Sequence, residues 1–211
     1  MRHYVDTAMT KSSDYKLSSS TIFVPIHHVL DDGTEVVVRS MRVDETSLVN
    51  RMFGRGFGLD EWPTDEYFER MIINRSHNFL VIEKLTETAF AAILLSNSAY
   101  SRGASAKLMD GYCAFHPDYV GRGFAKEVAA LVNQLGVQLG FRAMHTDAAV
   151  NNMAAVAALL SDGFAMTGVI PKSIYILDQG WVDTVLFFKR LPDTTSKNSL
   201  GKDAHNTQSK L

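Results

Sequence analysis

The sequence predicts an α/β (α+β) protein with a mixed, mostly antiparallel central sheet of six to seven strands and helices on both faces. Apolar runs rich in Val, Ile and Phe come in antiparallel pairs along the first half of the chain. A strand–helix–strand succession follows, and two further apolar runs close the chain. The resulting order is roughly β-β-α-α-β-β-β-α-β-α-β-β, which favours a layered architecture over separate helical and sheet regions.

Two predicted strand pairs and two predicted helices make up the first half. The turn signal Asp31-Asp32-Gly33 lies between the first two apolar runs and predicts a hairpin. Pro63 lies near the start of the second helical pattern, where a helix tolerates it best. The predicted elements are strands 21–30 and 34–41, helices 46–53 and 61–72, and strands 78–84 and 89–98.

The second half alternates strands with amphipathic helices. One apolar stripe is formed by residues at helical spacing on a single face, namely Phe124, Val128, Leu131, Val132 and Leu135. Gly163 suits the residue that follows the second helix, because a left-handed conformation commonly ends helices there. The predicted elements are strand 106–115, helix 124–140, strand 141–149, helix 152–162, and strands 163–171 and 181–191.

Composition predicts one folded domain with polar ends. The flexible N-terminal segment is 1–20, the domain is 21–192, and the disordered C-terminal tail is 193–211. Lys and Arg number 21 and Asp and Glu 23, a net charge of −2, which gives no electrostatic case for nucleic acid or an anionic membrane surface.

Cysteine usage and hydropathy predict a cytoplasmic protein. Cys113 is the only cysteine of the sequence, so no disulfide can form within the chain. The polar N-terminus lacks the apolar core of a signal peptide, and no apolar run approaches the ~20 residues that span a bilayer. No Cys/His cluster has metal-ligand spacing, so no metal is expected.

A glycine-rich junction stands where the strand 106–115 gives way to a helix. It reads Val120-Gly121-Arg122-Gly123-Phe124-Ala125. Glycine allows a tight turn, and the first amides of a helix are unsatisfied donors at a positive dipole end. Such a site suits a phosphate or pyrophosphate. Neither the nucleoside-triphosphate loop nor the dinucleotide fingerprint is present, because Gly-Lys-Ser/Thr and Gly-x-Gly-x-x-Gly are both absent.

The junction resembles motif A of the GNAT superfamily of N-acetyltransferases, whose core is Arg/Gln-x-x-Gly-x-Gly/Ala. Val120 departs from the pattern, since Arg or Gln is usual there. A second resemblance is Asn152-Met153-Ala154-Ala155, which leads to Gly163-Phe164 at the family's spacing. The terminal run 183–191 also resembles the family's final strand. Together these features cover roughly 110–191.

The resemblance implies acetyl-CoA as donor and an amine as acceptor. Main-chain groups of Phe115 and His116 would meet the thioester and pantetheine. The cradle formed by Val120, Gly121, Arg122, Gly123, Phe124 and Ala125 would hold the pyrophosphate, largely through main-chain amides. Asn152 would reach the pantetheine arm or cap its own helix.

The catalytic groups are less well defined by the resemblance. Many members place a tyrosine as general acid where this chain has Leu159, so Tyr175 is considered as a substitute, or as a pocket wall or surface residue. Family bases on the strand before motif A match Met109 or Gly111, neither of which can act. Asp110 is the candidate base if a bulge near Gly111 reorients it, because strand alternation otherwise sends it to the opposite face.

Other side chains have alternative interpretations. A water chain to Glu61 is an alternative base, and Glu61 and Trp62 border the expected acceptor pocket, where Trp62 could equally be ordinary packing. His145 is expected to face solvent, and Cys113 is expected in the core rather than as a nucleophile.

Three functions remain open from the sequence. The first is acetyl transfer to a small-molecule amine or amino acid by direct attack in a ternary complex. The alternatives are a protein N-terminal or lysine acetyltransferase and a CoA-binding module with little catalysis. A homodimer is a further option.

Overall fold

The computed structural model of the protein describes residues 25–55, 76–98 and 107–192. The predicted terminal segments 1–20 and 193–211 and the predicted helix 61–72 lie outside these ranges. Glu61 and Trp62, predicted to bind substrate, lie outside them as well.

Eight strands and three α-helices are present in the described ranges. Short 3-10 helices at Val43–Glu45 and Pro117–Tyr119 precede two of the helices. The strands are β1 (Ile26–Val29), β2 (Glu35–Ser40), β3 (Ser76–Glu83), β4 (Ala89–Asn97), β5 (Leu108–Phe115), β6 (Ala143–Ala149), β7 (Ala165–Ile176) and β8 (Gly180–Arg190). The helices are α1 (Thr46–Arg55), α2 (Ala125–Gln138) and α3 (Met153–Ser161).

All eight strands form one sheet, in the order β1-β2-β3-β4-β5-β6-β8-β7. The β5–β6 pair is parallel and the other six pairs are antiparallel. The predicted mixed, mostly antiparallel sheet is therefore confirmed. The predicted count of six to seven strands is too low, because the N-terminal hairpin and the C-terminal hairpin both join the sheet completely.

Side-chain alternation along the strands divides the core between the two faces of the sheet. Met109 on β5 belongs to the larger apolar cluster, together with Val128 and Leu135 of α2. Leu80 on β3 belongs to the smaller cluster, together with Val49 of α1. Helices thus cover both faces, as the sequence predicts. Odd-numbered residues of β5, such as Met109, lie on the face covered by α2, and even-numbered residues lie on the opposite face.

Gly136 lets α2 lie close to the sheet. A Cβ at this position would lie 2.5 Å from Met109 Cε and 2.9 Å from a Leu191 methyl group. Met109 is itself fully buried, so it has little room to withdraw. The close packing holds the C-terminal part of α2 against the start of β5. No helix in the described ranges combines the length and apolar character needed to cross a lipid bilayer.

Candidate active site

The parallel strands β5 and β6 separate partway along their length. Their pairing consists of Leu108↔Ala143, Met109↔Met144 and Asp110↔His145. Beyond Asp110, β5 continues to Phe115 paired with β4, and β6 continues to Ala149 paired with β8. A wedge-shaped opening therefore lies between residues 111–115 and 146–149, and it is called the cleft below.

The β5 edge of the cleft carries main-chain groups that point into it. The amide of His116 donates to Phe90 O at 2.9 Å, and Leu108 O accepts from Ser98 N at 3.1 Å, so the even-numbered residues hydrogen bond on the β4 side. Main-chain groups alternate sides along an antiparallel pair. Those of Gly111, Cys113 and Phe115 therefore face the cleft, where an extended molecule could pair with them.

The glycine junction lies at the wide end of the cleft. The 3-10 turn Pro117–Tyr119 carries the chain from β5 to Gly121 and Gly123, which have φ values of 79° and 89°. Glycine is the residue that adopts this left-handed region without steric cost. A Cβ at either position would meet no atom within 4 Å, so the space above the turn is open. The backbone conformation and the open space both suit a ligand that approaches the main chain.

The amides of the junction are available to such a ligand. Within the described ranges, no acceptor takes a hydrogen bond from the amides of residues 121–124. Phe124 anchors the start of α2, because its side chain is buried and its ring centroid lies 5.0 Å from that of Phe90. Unsatisfied amides at the positive end of a helix dipole are the features that an anion site requires, and residues 121–125 are called the cradle below.

Charged and aromatic side chains border the cradle. The Arg122 guanidinium lies 5.1 Å from the Tyr119 ring centroid, within cation–π range. The Tyr119 hydroxyl donates to Glu83, and this hydrogen bond lowers the pKa of the Glu83 carboxyl. Val120 is 64% exposed, so the residue that replaces the family's Arg or Gln makes no buried contact.

His116 has a structural part in the turn. Its Nδ1 accepts a hydrogen bond from the Asp118 amide at 3.4 Å and caps the 3-10 turn. Its own amide is bonded to Phe90 O and points away from the cleft. Of the two residues predicted to meet the pantetheine through their main chains, Phe115 thus faces the cleft and the His116 amide does not.

Asn152 caps α3. Its Oδ1 accepts a hydrogen bond from the Ala155 amide at 3.1 Å. Leu159, in the last turn of this helix, packs against the larger apolar cluster. The helix thus presents an aliphatic side chain where the family resemblance leads one to expect a phenol.

A polar cavity of about 260 Å³ opens at the narrow end of the cleft, on the face of the sheet opposite Met109. Two side-chain pairs cross from β5 to β6 inside it. Asp110 Oδ1 lies 3.2 Å from His145 Nδ1, and the Tyr112 hydroxyl donates to Asp147 Oδ1 at 3.0 Å. Strands β7 and β8 supply the remaining wall, which comprises Ile170, Ser173, Ile174, Thr184 and Leu186.

Burial changes the acidity of two groups near the cleft. Desolvation raises the pKa of Asp147, against an opposing effect of the hydrogen bond from Tyr112. Desolvation also raises the pKa of the Cys113 thiol to about 11. Cys113 nevertheless has an accessible surface, because it lies on the open part of β5. The expectation that it belongs to the core is wrong, since the separation of the strands uncovers it.

Several predicted positions differ in the structure. His145 is largely buried beside Asp110 and not solvent-facing, because residues of β7 and β8 form the wall of the cavity that it lines. The bulge near Gly111 is absent, since β5 pairs with β4 without a register shift. Asp110 reaches the cavity without it, on the face opposite Met109. Tyr175 is 56% exposed, contacts Trp181 and does not line the cavity.

Sequence reasoning missed Tyr112 and Asp147. The signal was the period of two, since Tyr112 is two residues after Asp110 and Asp147 is two after His145 on a parallel neighbour.

Within the described ranges, no group of three or more His, Cys, Asp or Glu is placed to hold a metal ion.

Solved acetyltransferases have the same fold. Spermidine N-acetyltransferase from Vibrio cholerae, in complex with CoA and spermine, has a TM-score of 0.62 and 14% identity, covering 74% of this chain and 95% of its own. An acetyltransferase of the GNAT family from Streptococcus pneumoniae has a TM-score of 0.59 and 16% identity, with coverages of 74% and 99%.

A protein-modifying enzyme is similar to the same degree. Ribosomal-protein-S5-alanine acetyltransferase from Vibrio fischeri has a TM-score of 0.59 and 15% identity, covering 80% of this chain and 98% of its own. No family model matches the sequence, and no curated protein sequence matches it. The predicted GNAT fold is confirmed by the structural likeness, and these acetyltransferases differ in their acceptors.

Proposed function

We propose that the protein is an N-acetyltransferase that moves an acetyl group from acetyl-CoA to a primary amine by direct attack in a ternary complex. One observation carries the proposal. The separation of β5 from β6 opens a cleft whose wide end meets the free amides of the cradle and whose narrow end meets a polar cavity. A long ligand with a phosphate at one end and a reactive group at the other fits this arrangement.

The donor would be held mainly by the main chain. The amides of the cradle would bind the pyrophosphate, with Arg122 beside them as a further cation. The pantetheine would lie along β5 and hydrogen bond with the main-chain groups of Cys113 and Phe115, which face the cleft. Because most of these contacts come from the main chain, the absence of Arg or Gln at position 120 removes little of the binding.

The acceptor would be a small-molecule amine. A volume of about 260 Å³ admits a small molecule and no folded partner. Asp110 and Asp147 offer negative charge to an ammonium group, while Ile170, Ile174 and Leu186 offer an apolar wall to its carbon chain. An amino acid fits the same cavity only if its carboxylate points away from Asp110 and Asp147, because like charges repel.

Asp110 is the proposed base. Its contact with His145 places an imidazole and a carboxylate side by side at the narrow end of the cleft. An ammonium must lose a proton before its nitrogen lone pair can attack the thioester carbon. The pair can take up that proton, and the surrounding cavity connects it to solvent.

Two measurements test the function. Acetyl-CoA at about 100 times its Kd is expected to stabilise the protein by ~2.7 kcal/mol in a thermal unfolding assay. Thiol release from acetyl-CoA is then followed with amines, amino acids and peptides as acceptors. Turnover on peptides alone would replace the small-molecule proposal by protein acetylation, and binding without turnover on any acceptor would favour a CoA-binding module.

A further inference from the structure

We propose that Tyr112 donates the proton that the departing CoA thiolate takes up, and that Asp147 is the positioning residue that aims its hydroxyl. The proposal rests on the acetyl transfer proposed above. It assigns the acid to β5, whereas the family resemblance leads one to expect it on α3.

The position of Tyr112 is the first argument. Asp110 and His145 are the last paired residues of β5 and β6, and Tyr112 is the next side chain of β5 on the cavity face. Its hydroxyl crosses the cleft to Asp147, and no main-chain hydrogen bond in the described ranges joins the strands at that level. The side chain is 37% exposed, so a molecule lying in the cleft can touch it.

Tyr112 differs in its surroundings from the other described tyrosines and from the residue at position 159. The Tyr119 hydroxyl is bonded to Glu83 beside the cradle, at the wide end of the cleft. Tyr175 stacks edge-on against Trp181 on the C-terminal hairpin. Leu159 has no proton to give and packs against the core. Among the described tyrosines, Tyr112 is the one that lines the cavity.

The chemical step balances without any further reactant. The amine nitrogen forms a bond to the acetyl carbon, and the carbon–sulfur bond breaks with its electron pair going to sulfur. The Tyr112 hydroxyl turns from Asp147 to the sulfur and gives up its proton there, and the sulfur leaves as the CoA thiol. The nitrogen gives its surplus proton to the Asp110–His145 pair and from there to water, and the phenolate recovers a proton from water or from a protonated Asp147.

Asp147 acts through Tyr112. It accepts the phenol's hydrogen bond at 3.0 Å and so holds the hydroxyl over the cleft. Burial raises the pKa of Asp147, which makes a protonated form easier to reach than for an exposed aspartate. The carboxyl can therefore both hold the phenol and return a proton to it.

The experiment uses the full chain with acetyl-CoA and the amine that gives the highest rate. Y112F is expected to lower kcat by about 100-fold or more, the usual effect of losing a general acid, and to leave the Kd of acetyl-CoA within about twofold. D147N is expected to lower kcat by a smaller factor. D178N, in the exposed turn between β7 and β8, removes one carboxylate elsewhere and is expected to leave kcat unchanged.

A pH profile separates chemistry from structure. Fluorotyrosine placed at position 112 by nonsense suppression lowers the phenol's pKa and is expected to move the alkaline limb of kcat to lower pH. If the alkaline limb of kcat does not move, the proposal is overturned. It is overturned as well if Y112F changes only the unfolding temperature or the acetyl-CoA Kd, since Tyr112 would then have only a structural role across the cleft. Wild-type protein that binds acetyl-CoA but releases no thiol with any amine would overturn both this proposal and the proposed function. Full activity in Y112F would overturn this one alone.

Discussion

Asp110 and His145 are joined twice, as the last residue pair between β5 and β6 and through their side chains, whose Oδ1 and Nδ1 atoms lie 3.2 Å apart. The point where the sheet opens is thus also the point where a carboxylate meets an imidazole. Both side chains are largely buried, with exposures of 18% and 16%. A reacting group that enters the cleft to its end arrives beside a group that can accept a proton.

The first prediction concerns this pair. D110N removes the carboxylate and retains its size, and we expect kcat to fall by about 100-fold, in line with the loss of a general base. The Kd of acetyl-CoA should stay unchanged, because the cradle is at the other end of the cleft. Steady-state kinetics and calorimetry check the two quantities. An unchanged kcat in D110N would show that Asp110 is not the base and that its contact with His145 is only structural.

The second prediction concerns the cradle. G123D places a carboxylate over the free amides, where it repels the pyrophosphate and competes for the same donors, so acetyl-CoA affinity should fall on the order of 100-fold or more. G180D is the matched control. Gly180 also has a positive φ, 75° against 89°, and open space above it, so it carries similar backbone strain away from the cradle.

Thermal shift with acetyl-CoA is the measurement for both glycine variants. The shift should disappear in G123D and persist in G180D, even where both lower the unfolding temperature of the free protein. A full shift in G123D would mean that the two glycines serve only the turn.

The third prediction separates the two roles of Asn152. Loss of the N-cap in N152A should lower the free energy of unfolding by about 1 kcal/mol, while N152S should retain most of it, because serine caps helices well. Acetyl-CoA affinity should be the same in both variants if capping is the whole role. Chemical denaturation and calorimetry provide the numbers, and a weaker Kd in both variants would indicate a contact with the pantetheine.

The fourth prediction uses Cys113 as a probe of the cleft. Because the thiolate is the reactive form and the pKa is raised to about 11, alkylation by iodoacetamide should be slow at neutral pH and quicken about tenfold per pH unit until the pH nears that pKa. Acetyl-CoA in the cleft should block the reaction. Mass spectrometry reports it cleanly, since the sequence has one cysteine. Equal rates with and without acetyl-CoA would place the donor elsewhere.

The order of the described strands and helices could be predicted from hydrophobic periodicity together with turn and capping residues, as the match of α2 to the stripe through Val128 and Leu135 illustrates. The glycine junction was also recognisable, because positive φ at the start of a helix leaves a signature in residue type. The family resemblance supplied the expected donor and the expected position of the acid.

The polar side-chain pairs that cross the cleft could not be predicted in the same way. The contacts Asp110–His145 and Tyr112–Asp147 each join residues 35 positions apart, and they depend on the parallel register of β5 against β6. The sequence shows which residues of one strand share a face. It does not show which residues of β5 and β6 lie opposite each other or how far along the strands the pairing extends. Cys113 illustrates the same limit, since an apolar neighbourhood in sequence predicts burial and only the separation of the strands exposes it.

Within the described ranges, three residue pairs of β5 and β6 join a five-stranded half, β1 to β5, to a three-stranded half, β6 to β8, and the amides of Arg142 and Ala143 extend this junction by hydrogen bonds to Lys107 O. A donor lying in the cleft would hydrogen bond with the main chain as a neighbouring strand does, and would thereby connect the two halves of the sheet. Binding should therefore slow hydrogen exchange along both inner edges, on amides of β6 as well as β5. The donor would also form the floor on which an acceptor rests, which makes an ordered sequence, donor before acceptor, the natural kinetic scheme.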